Sequence, residues 1–198
     1  ATIRDYPELY KLYAVKEFTY NDIRQHNRNS LLWRDNSVDG VKTGHTEAAG
    51  FCLVASAQRE SMRLISVVMG TASNKVRLQE SASLLNYGFR FYETHRLYAA
   101  NTPLSTVRIW KGEQENLSLG LIQDLIVTIP RRQYDQLQAR TEVNPLIQAP
   151  VAQGQALGQV IIDLSGEEVA RAPLVALTEV PPGGLWRELV DTVLLWIE

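Results

Sequence analysis

The tripeptide Lys42-Thr43-Gly44 is the part of this chain whose residue types are best suited to bind a ligand. It follows the turn-forming pair Asp39-Gly40, so a short strand is predicted over residues 41–43. At a strand edge, Lys42 would bring a positive charge and the Thr43 hydroxyl could bond a carboxylate. Gly44 would let a ligand approach the backbone, and a peptide could lie along the edge as an added strand. None of the three residues is a nucleophile.

The cationic residues also have purely structural interpretations. Lys42 could be a solvated charge that keeps a strand edge from pairing with other chains. Arg77, near the start of a predicted helix, could pair with Glu80 or point its planar guanidinium at a substrate carboxylate. Arg28 has the same two interpretations. The residues alone leave these alternatives open.

The composition is that of a soluble globular protein. Of 198 residues, 45% are hydrophobic and 21% charged, and the formal net charge of −2 gives no field that favours nucleic acid. Cys52 is the only cysteine, which excludes an internal disulfide, and it is expected to be a small buried side chain. The three histidines are too scattered to predict a zinc site. No apolar run is long enough to span a bilayer, and the first residues resemble the interior of a longer protein rather than a signal peptide.

The first half of the chain predicts a sheet covered by a helix. Residues 7–15 favour a short helix with Leu9, Leu12 and Tyr13 on one face. Two apolar runs, 51–57 and 62–69, are joined by four polar residues and predict an antiparallel hairpin. A helix capped near Ser73 follows and is expected to lie on the sheet. Its apolar positions are Leu78, Ala82, Leu85 and Phe89.

The second half predicts a different architecture, made of short strands. The strand candidates are 107–110, 117–120, 125–129, 137–143, 158–163, 168–172 and 175–179. Turn-forming pairs such as Asn144-Pro145 and Ser165-Gly166 separate several of them. This spacing is typical of a small β-sandwich or barrel.

An amphipathic helix is predicted at the end of the chain, after the breaker Pro181-Pro182-Gly183-Gly184. Its apolar face consists of Leu185, Trp186, Leu189, Val190, Val193, Leu194 and Ile197. Tryptophans at 186 and 196 suit a bilayer interface. The helix could instead dock on its own domain, and its polar face carries more acid than base, unlike most membrane-surface helices.

Many segments, in order along the chain, resemble the C-terminal part of the penicillin-binding D-alanyl-D-alanine carboxypeptidases. In the first half they are FTYN (18–21), IRQ (23–25), NRN (27–29), LLW (31–33), VDGVKTGHT (38–46), AG (49–50), LVASA (53–57), MRLISVVMG (62–70) and GFRF (88–91). In the second half LIVTIPR (125–131) and RAPLV (171–175) resemble the β-domain of that family.

The resemblance implies a serine-type carboxypeptidase that removes the terminal D-Ala from peptidoglycan stem pentapeptides through an acyl-enzyme; penicillins acylate the same serine. It further implies that Lys42 organises the charge and proton network of the site and that Thr43 binds the terminal carboxylate. Gly44 would let the substrate strand lie flat. The backbone N–H of His45 would be an oxyanion donor.

The resemblance also implies roles for two arginines. Arg77 corresponds to the helix arginine that attracts the substrate carboxylate, and Arg28 to one that supports the Lys-Thr-Gly strand. The implied partners are peptidoglycan stem peptides ending in D-Ala-D-Ala, β-lactam antibiotics and, through the terminal helix, the periplasmic face of the bacterial inner membrane. No nucleic acid, metal or cofactor is expected.

One feature of that family is missing from these residues: neither a Ser-x-x-Lys motif nor the second, Ser-Asp-Asn-like triplet occurs in the 198 residues. We therefore expect a fragment that is neither hydrolytic nor acylated alone, with an open edge on the strand at 62–69. Two alternatives remain, a β-lactamase-related enzyme, disfavoured because those enzymes lack the β-domain, and a non-catalytic envelope-binding module.

The expected fold class is α+β. Residues 1–93 would form the C-terminal part of an α/β transpeptidase-like domain, an antiparallel sheet with a packed helix. Residues 94–182 would form a small all-β, sandwich-like domain. Residues 183–198 would begin the amphipathic membrane-anchor helix.

Overall fold

A computed structural model describes residues 1–196, and the chain divides between Glu93 and Thr94 into two units. The first unit combines short helices, a hairpin and a three-stranded antiparallel sheet, and the second is built mostly of strands. The α+β fold class predicted from the sequence is confirmed.

Short helices open the first unit: α1 spans Thr2–Asp5, α2 spans Pro7–Tyr10, and a 3-10 helix spans Lys11–Ala14. The helix predicted over 7–15 is therefore split, and its expected apolar face is wrong, because Leu9 and Leu12 are exposed while Tyr10 is buried. Tyr10 turns inward because its hydroxyl donates to the Asp39 carboxylate at 2.9 Å. A packed aromatic with a polar partner has overridden the helical pattern.

A hairpin and a one-turn helix follow. Strands β1 (Glu17–Tyr20) and β2 (Ile23–His26) pair across a two-residue turn, Asn21-Asp22. Both turn residues have positive φ, 49° and 61°, as a type I′ turn requires. Helix α3 spans Leu31–Arg34 and buries its first two leucines.

The central sheet of the first unit contains β3 (Val38–Thr46), β4 (Gly50–Arg59) and β5 (Met62–Thr71), in the order β3-β4-β5. The predicted hairpin of the two apolar runs is confirmed, with Val54 opposite Val67. Strand β3 runs well beyond the predicted residues 41–43. Strand β5 pairs with β4 alone among the described strands, so the expected open edge is present there.

Helix α4 (Asn74–Phe91) covers one face of this sheet, as predicted. Its N-cap is Ser73, whose hydroxyl accepts the Val76 N–H at 3.2 Å. The buried contacts join Leu78, Leu85 and Phe89 of α4 with Leu53, Ala55 and Ala57 of β4. Cys52 lies on the opposite face of β4 from Leu53 and is half-buried, so the expectation of a fully buried thiol is wrong.

An ion pair ties the loop before β3 to the hairpin of β4. Arg59 donates to the Asp35 carboxylate at 3.0 Å, and the Ser37 hydroxyl donates to the same carboxylate at 2.6 Å. Burial alone would raise the pKa of Asp35, but the hydrogen bonds from Ser37 and Arg59 outweigh it, so the pKa lies below its ordinary value.

In the described part of the second unit there are seven strands: β6 (Tyr92–Tyr98, starting just before the boundary), β7 (Pro103–Arg108), β8 (Asn116–Gly120), β9 (Leu125–Pro130), β10 (Leu137–Val143), β11 (Ala156–Leu164) and β12 (Glu167–Ala176). Five of them form a sheet in the order β10-β11-β12-β8-β7, and β6 pairs with β9. Val127 and Ile129 of β9 pack on Leu164 of β11 in a small cluster beside the larger apolar core of this unit, and Leu97, Leu137 and Ala170 pack against both.

Several strand predictions in this unit need correction. The strand predicted over 107–110 is β7, which begins earlier, at Pro103, and ends at Arg108. The strand predicted over 168–172 and the first two residues of the one predicted over 175–179 belong to one strand, β12, which runs through Pro173, and residues 177–179 lie outside it. Proline fits because β12 contacts β8 only at Val175 and Ala176, so Pro173 has a neighbouring strand on one side alone. Strand β6 was not predicted.

The terminal helix α5 spans Leu185–Leu194. Ile197, predicted to belong to its apolar face, lies outside the described residues. Among residues 1–196, no helix is long and apolar enough to cross a membrane.

Candidate functional site

A cavity of about 550 Å³ opens beside the C-terminal half of β3 in the first unit. Its walls come from the turn before α3, from β3, from the start of β4 and from the start of α4. The lining residues are His26, Asn27, Arg28, Ser30, Thr43, Gly44, His45, Phe51, Asn74 and Arg77. The structure thus brings together five of the six site residues predicted from the sequence.

Arg77 is the most constrained of these side chains, with only 5% of its surface exposed. Its guanidinium donates to two backbone carbonyls, that of Gly44 at 2.9 Å and that of Cys52 at 3.1 Å. Its Nε also donates to the Asn74 side chain at 2.9 Å. The structural role of this arginine is thus not the Glu80 pair that the sequence left open as one interpretation: its Nη1 bridges β3 and β4, and its Nε holds Asn74 at the start of α4.

The cavity is cationic. Its lining includes the side chains of Arg28 and Arg77, and within the described residues that line it there is no aspartate or glutamate. Burial lowers the pKa of the Arg77 guanidinium from its ordinary value, and the neighbouring Arg28 charge lowers it further. Two like charges facing one water-accessible space favour an anion between them.

The strand edge supplies the other predicted groups. Gly44 lies opposite Cys52 and His45 opposite Phe51 in the β3–β4 register. The His45 ring stacks on Phe51 at a centroid distance of 3.9 Å, and the Arg77 guanidinium lies 5.5 Å from the same ring. Among the described strands β3 pairs with β4 alone, so its outer side is open to an added peptide strand beyond Gly40, whose carbonyl Asn29 already binds.

Lys42 is placed differently from the other predicted residues. Its side chain is exposed, its ammonium donates to the Thr43 carbonyl at 2.6 Å, and it is not among the described residues that line the cavity. The ammonium is on a flexible stem at the surface.

Two asparagines hold the turn that carries Arg28, and sequence analysis assigned them no function. Asn27 donates to the carbonyls of Tyr13 and Val15 and accepts the Asn29 N–H at 3.0 Å. Asn29 is 1% exposed and donates to the Gly40 carbonyl at 2.9 Å. The Asn-x-Asn spacing, which suits consecutive side-chain-to-backbone turns, is the signal that could have revealed this support.

A polar network holds the beginning of β3. Arg63 donates to the Asp39 carboxylate at 2.8 Å and to the Ser56 hydroxyl at 2.7 Å. Tyr10 also belongs to this network, because its hydroxyl donates to Asp39. A Cβ added at Gly40 would lie 2.7 Å from the Tyr10 hydroxyl oxygen. Gly40 is therefore required by this close approach, and β3 is fixed in place before it reaches the cavity.

Within the described residues, no group of three or more histidine, cysteine, aspartate or glutamate side chains is arranged to hold a metal ion. The cavity as it stands offers hydrogen-bond donors and positive charge, the chemistry of anion binding.

Two family models match the chain in sequence order. Residues 1–73 match D-alanyl-D-alanine carboxypeptidase, and residues 92–182 match the penicillin-binding protein 5 C-terminal domain. The D-alanyl-D-alanine carboxypeptidase DacA of Escherichia coli K12 is 44% identical over 198 residues, covering 98% of this chain and 49% of the relative. DacA of Haemophilus influenzae is 42% identical over 99% of this chain and 51% of its own length. The chain spans about half the length of the curated relatives it matches.

Solved structures give the same result. Penicillin-binding protein 5 from Haemophilus influenzae aligns with a TM-score of 0.83 at 44% identity, over 91% of this chain and 53% of that chain. The D-alanyl-D-alanine carboxypeptidase DacD from Francisella tularensis aligns with a TM-score of 0.60 at 32% identity, over 91% and 58%. The chain belongs to the penicillin-binding D-alanyl-D-alanine carboxypeptidase family and corresponds to the C-terminal part of its members.

Proposed function

We propose that this chain supplies the substrate-binding wall of a serine-type D-alanyl-D-alanine carboxypeptidase, which removes the terminal D-Ala of peptidoglycan stem pentapeptides and binds β-lactams at the same site. The observation that carries the proposal is the cationic cavity beside β3, with two arginines and no acidic side chain among its described lining residues. A peptide that ends in a free carboxylate matches both the charge and the open strand edge.

The substrate would lie along β3 as an added strand, with its terminal carboxylate at Thr43. The Thr43 hydroxyl would donate to that carboxylate, and Gly44 would allow close approach of the two backbones. The backbone N–H of His45 would stabilise the oxyanion. Arg77 already donates to two backbone carbonyls, so it would act on the carboxylate through its charge while Arg28 faces the same space.

Lys42 would join the charge and proton network of the site once its ammonium leaves the Thr43 carbonyl. No Ser-x-x-Lys motif occurs in the 198 residues, so the nucleophile has to come from other residues of the intact enzyme. The match of residues 92–182 to the C-terminal domain model supports a carboxypeptidase rather than the β-lactamase-related alternative.

Binding of the carboxylate can be tested on the 198-residue chain by NMR titration with an N-acylated D-Ala-D-Ala dipeptide. We expect the Gly44 and His45 amide signals to shift with the free acid and not with the matched C-terminal amide. Thr43→Val, which replaces the hydroxyl by a methyl group of similar size, should weaken the interaction by about tenfold. Equal shifts with acid and amide would contradict a carboxylate site.

Labelling with a fluorescent penicillin tests whether the 198-residue chain lacks the reactive serine. The 198-residue chain alone should form no covalent adduct, and it should release no D-Ala from pentapeptide. The longer gene product that carries a Ser-x-x-Lys motif should do both. A covalent adduct on the 198-residue chain would refute the proposal that its residues bind without reacting.

We also propose that the terminal helix rests on the periplasmic face of the inner membrane, which places the enzyme beside the cell wall. The support is the exposure of apolar side chains here: Leu185 and Trp186 of α5 are 87% and 77% exposed, and Trp196, just beyond the helix, is 89% exposed. Flotation with phospholipid vesicles tests this: the chain should float, and the chain truncated after residue 184 should remain in the soluble fraction. Equal flotation of both would exclude the helix as the membrane-binding element.

A further inference from the structure

The terminal helix α5 contacts the β-rich unit through its polar face. Asp191 is 4% exposed, and its carboxylate accepts the backbone N–H of Lys111 at 2.6 Å. Lys111 lies in the loop between β7 and β8 and has a positive φ of 58°, which is uncommon for a residue with a side chain. A carboxylate is buried at this point because it meets a specific backbone donor.

A second side chain of the same face points to the same loop. Arg187 lies 3.2 Å from the Glu115 carboxylate and 3.8 Å from that of Asp191. Arg187 is the only basic residue between 185 and 194. The single cation of the helix is therefore paired with the Glu115 carboxylate, while its Nε, 3.8 Å from Asp191, makes no hydrogen bond.

The chain just before α5 is tied to that loop by its backbone. The Gly183 N–H donates to the Lys111 carbonyl at 2.7 Å, and the Glu113 N–H donates to the Pro181 carbonyl at 3.2 Å. A Cβ added at Gly183 would lie 3.0 Å from the Gly112 carbonyl oxygen, so the two segments are in close contact. The start of the helix is thus held by the fold rather than by a loose linker.

The apolar face of α5 is turned outward. Leu189, Val190, Val193 and Leu194 are all exposed, together with the tryptophans at 186 and 196. A helix that docks on its own domain ordinarily buries its apolar face. In α5 the polar face is the one that docks, and the contacts of Asp191 and Arg187 determine the rotation of the helix about its axis.

We propose that Asp191 is a positioning residue. Its bond to the Lys111 N–H fixes the rotation of α5 about its axis. The apolar face, which carries few charges, is therefore already directed outward when it meets a lipid interface. The lipid part of this inference rests on the membrane association proposed above; the positioning part does not. Because α5 carries a single cation, which lies beside the Glu115 carboxylate, we expect the surface to attract lipid mainly through apolar burial rather than through anionic headgroups.

Hydrogen exchange on the 198-residue chain tests the positioning role without lipid. A ten-residue helix is marginal by itself in water, so its amides owe their protection to docking. Asp191→Ala should speed exchange of the α5 amides and of the Lys111 amide by about 10- to 100-fold, the loss expected for a hydrogen bond to a charged acceptor.

Matched variants separate this role from a change in helix charge. Asp191→Asn keeps an acceptor oxygen and should restore part of the protection, whereas Glu188→Gln removes one carboxylate from the same helix and should leave exchange within about twofold of the parent. Exchange in Asp191→Ala equal to the parent, or an equal effect of Glu188→Gln, would overturn the positioning role.

Vesicle flotation tests the lipid chemistry. Replacing about a third of a zwitterionic phosphatidylcholine bilayer by phosphatidylglycerol should change the partition coefficient of the parent by less than about twofold, since a free cation would add about fivefold. A fivefold or greater rise would overturn the charge-poor surface. If the parent floats with neither vesicle, the membrane proposal fails while the exchange result still decides the role of Asp191.

Discussion

Arg77 gives the sharpest test of how the cavity is built. Replacing it by alanine removes the donor of two hydrogen bonds, 2.9 Å to the Gly44 carbonyl and 3.1 Å to the Cys52 carbonyl. Hydrogen bonds to a charged partner are each worth about 1.5–3 kcal/mol, and removal of a buried guanidinium returns part of that by relieving its desolvation. We expect a net loss of about 2–3 kcal/mol in local stability, equivalent to about 30- to 150-fold faster opening of β3 and β4.

Hydrogen exchange of residues 38–59, analysed by mass spectrometry, measures this opening directly. Arg77→Lys should recover only part of the loss, because an ammonium has no counterpart of the Nε–H that donates to Asn74 and fixes the side chain. Arg90→Ala is the control: this arginine is exposed on the same helix and should change opening by less than about 0.5 kcal/mol. Parent-like exchange in Arg77→Ala would show that the two carbonyls do not depend on it, and our account of the strand support would be wrong.

Three further predictions concern the fold. Gly40→Ala should lower the free energy of unfolding by about 1–3 kcal/mol in urea titrations, because its Cβ would meet the Tyr10 hydroxyl, and Tyr10→Phe in the same chain should restore part of it. Because the pKa of Asp35 is lowered in the folded chain, its carboxylate stabilises the fold above the ordinary value of 3.8 and loses that contribution as the pH falls through the folded pKa. Asp35→Asn should therefore flatten the decline in unfolding free energy between about pH 5 and pH 3, and a parent-like slope would contradict this. Leu119→Ala, in the core of the second unit, should lower the free energy of unfolding, measured by thermal melting, by about 2–5 kcal/mol. The exposed Val169→Ala should lower it by less than about 0.5 kcal/mol, and similar losses in the two variants would mean that the core is misidentified.

Arg28 and Arg77 lie far apart in the sequence, and both line the cationic cavity. Sequence analysis left each of them with a structural and a functional interpretation. The structure gives Arg77 both, since its side chain bridges two strands while its charge remains beside the space that Arg28 also lines. A residue can thus build a site and polarise it with the same group.

Local patterns were enough to predict several of the regular elements. The hairpin of β4 and β5, helix α4 with its cap at Ser73, and strands such as β10 follow from apolar periodicity and turn residues, which act between neighbours in the sequence. The split of the first helix and the merger of two predicted strands across Pro173 were missed. Both depend on contacts with residues far along the chain, the Tyr10–Asp39 bond and the partial pairing of β12 with β8.

The motifs along the chain identified its family and selected the residues of the site, because residue type sets charge and hydrogen-bonding capacity. Only the tertiary structure decided how those groups are directed. It turned Arg77 toward two carbonyls, left Lys42 at the surface and faced the polar side of α5 toward the β-rich unit. The physical reason is that a buried polar group takes whichever partner the packing brings within hydrogen-bonding distance, and local sequence does not specify a partner that is 33 or 80 residues away.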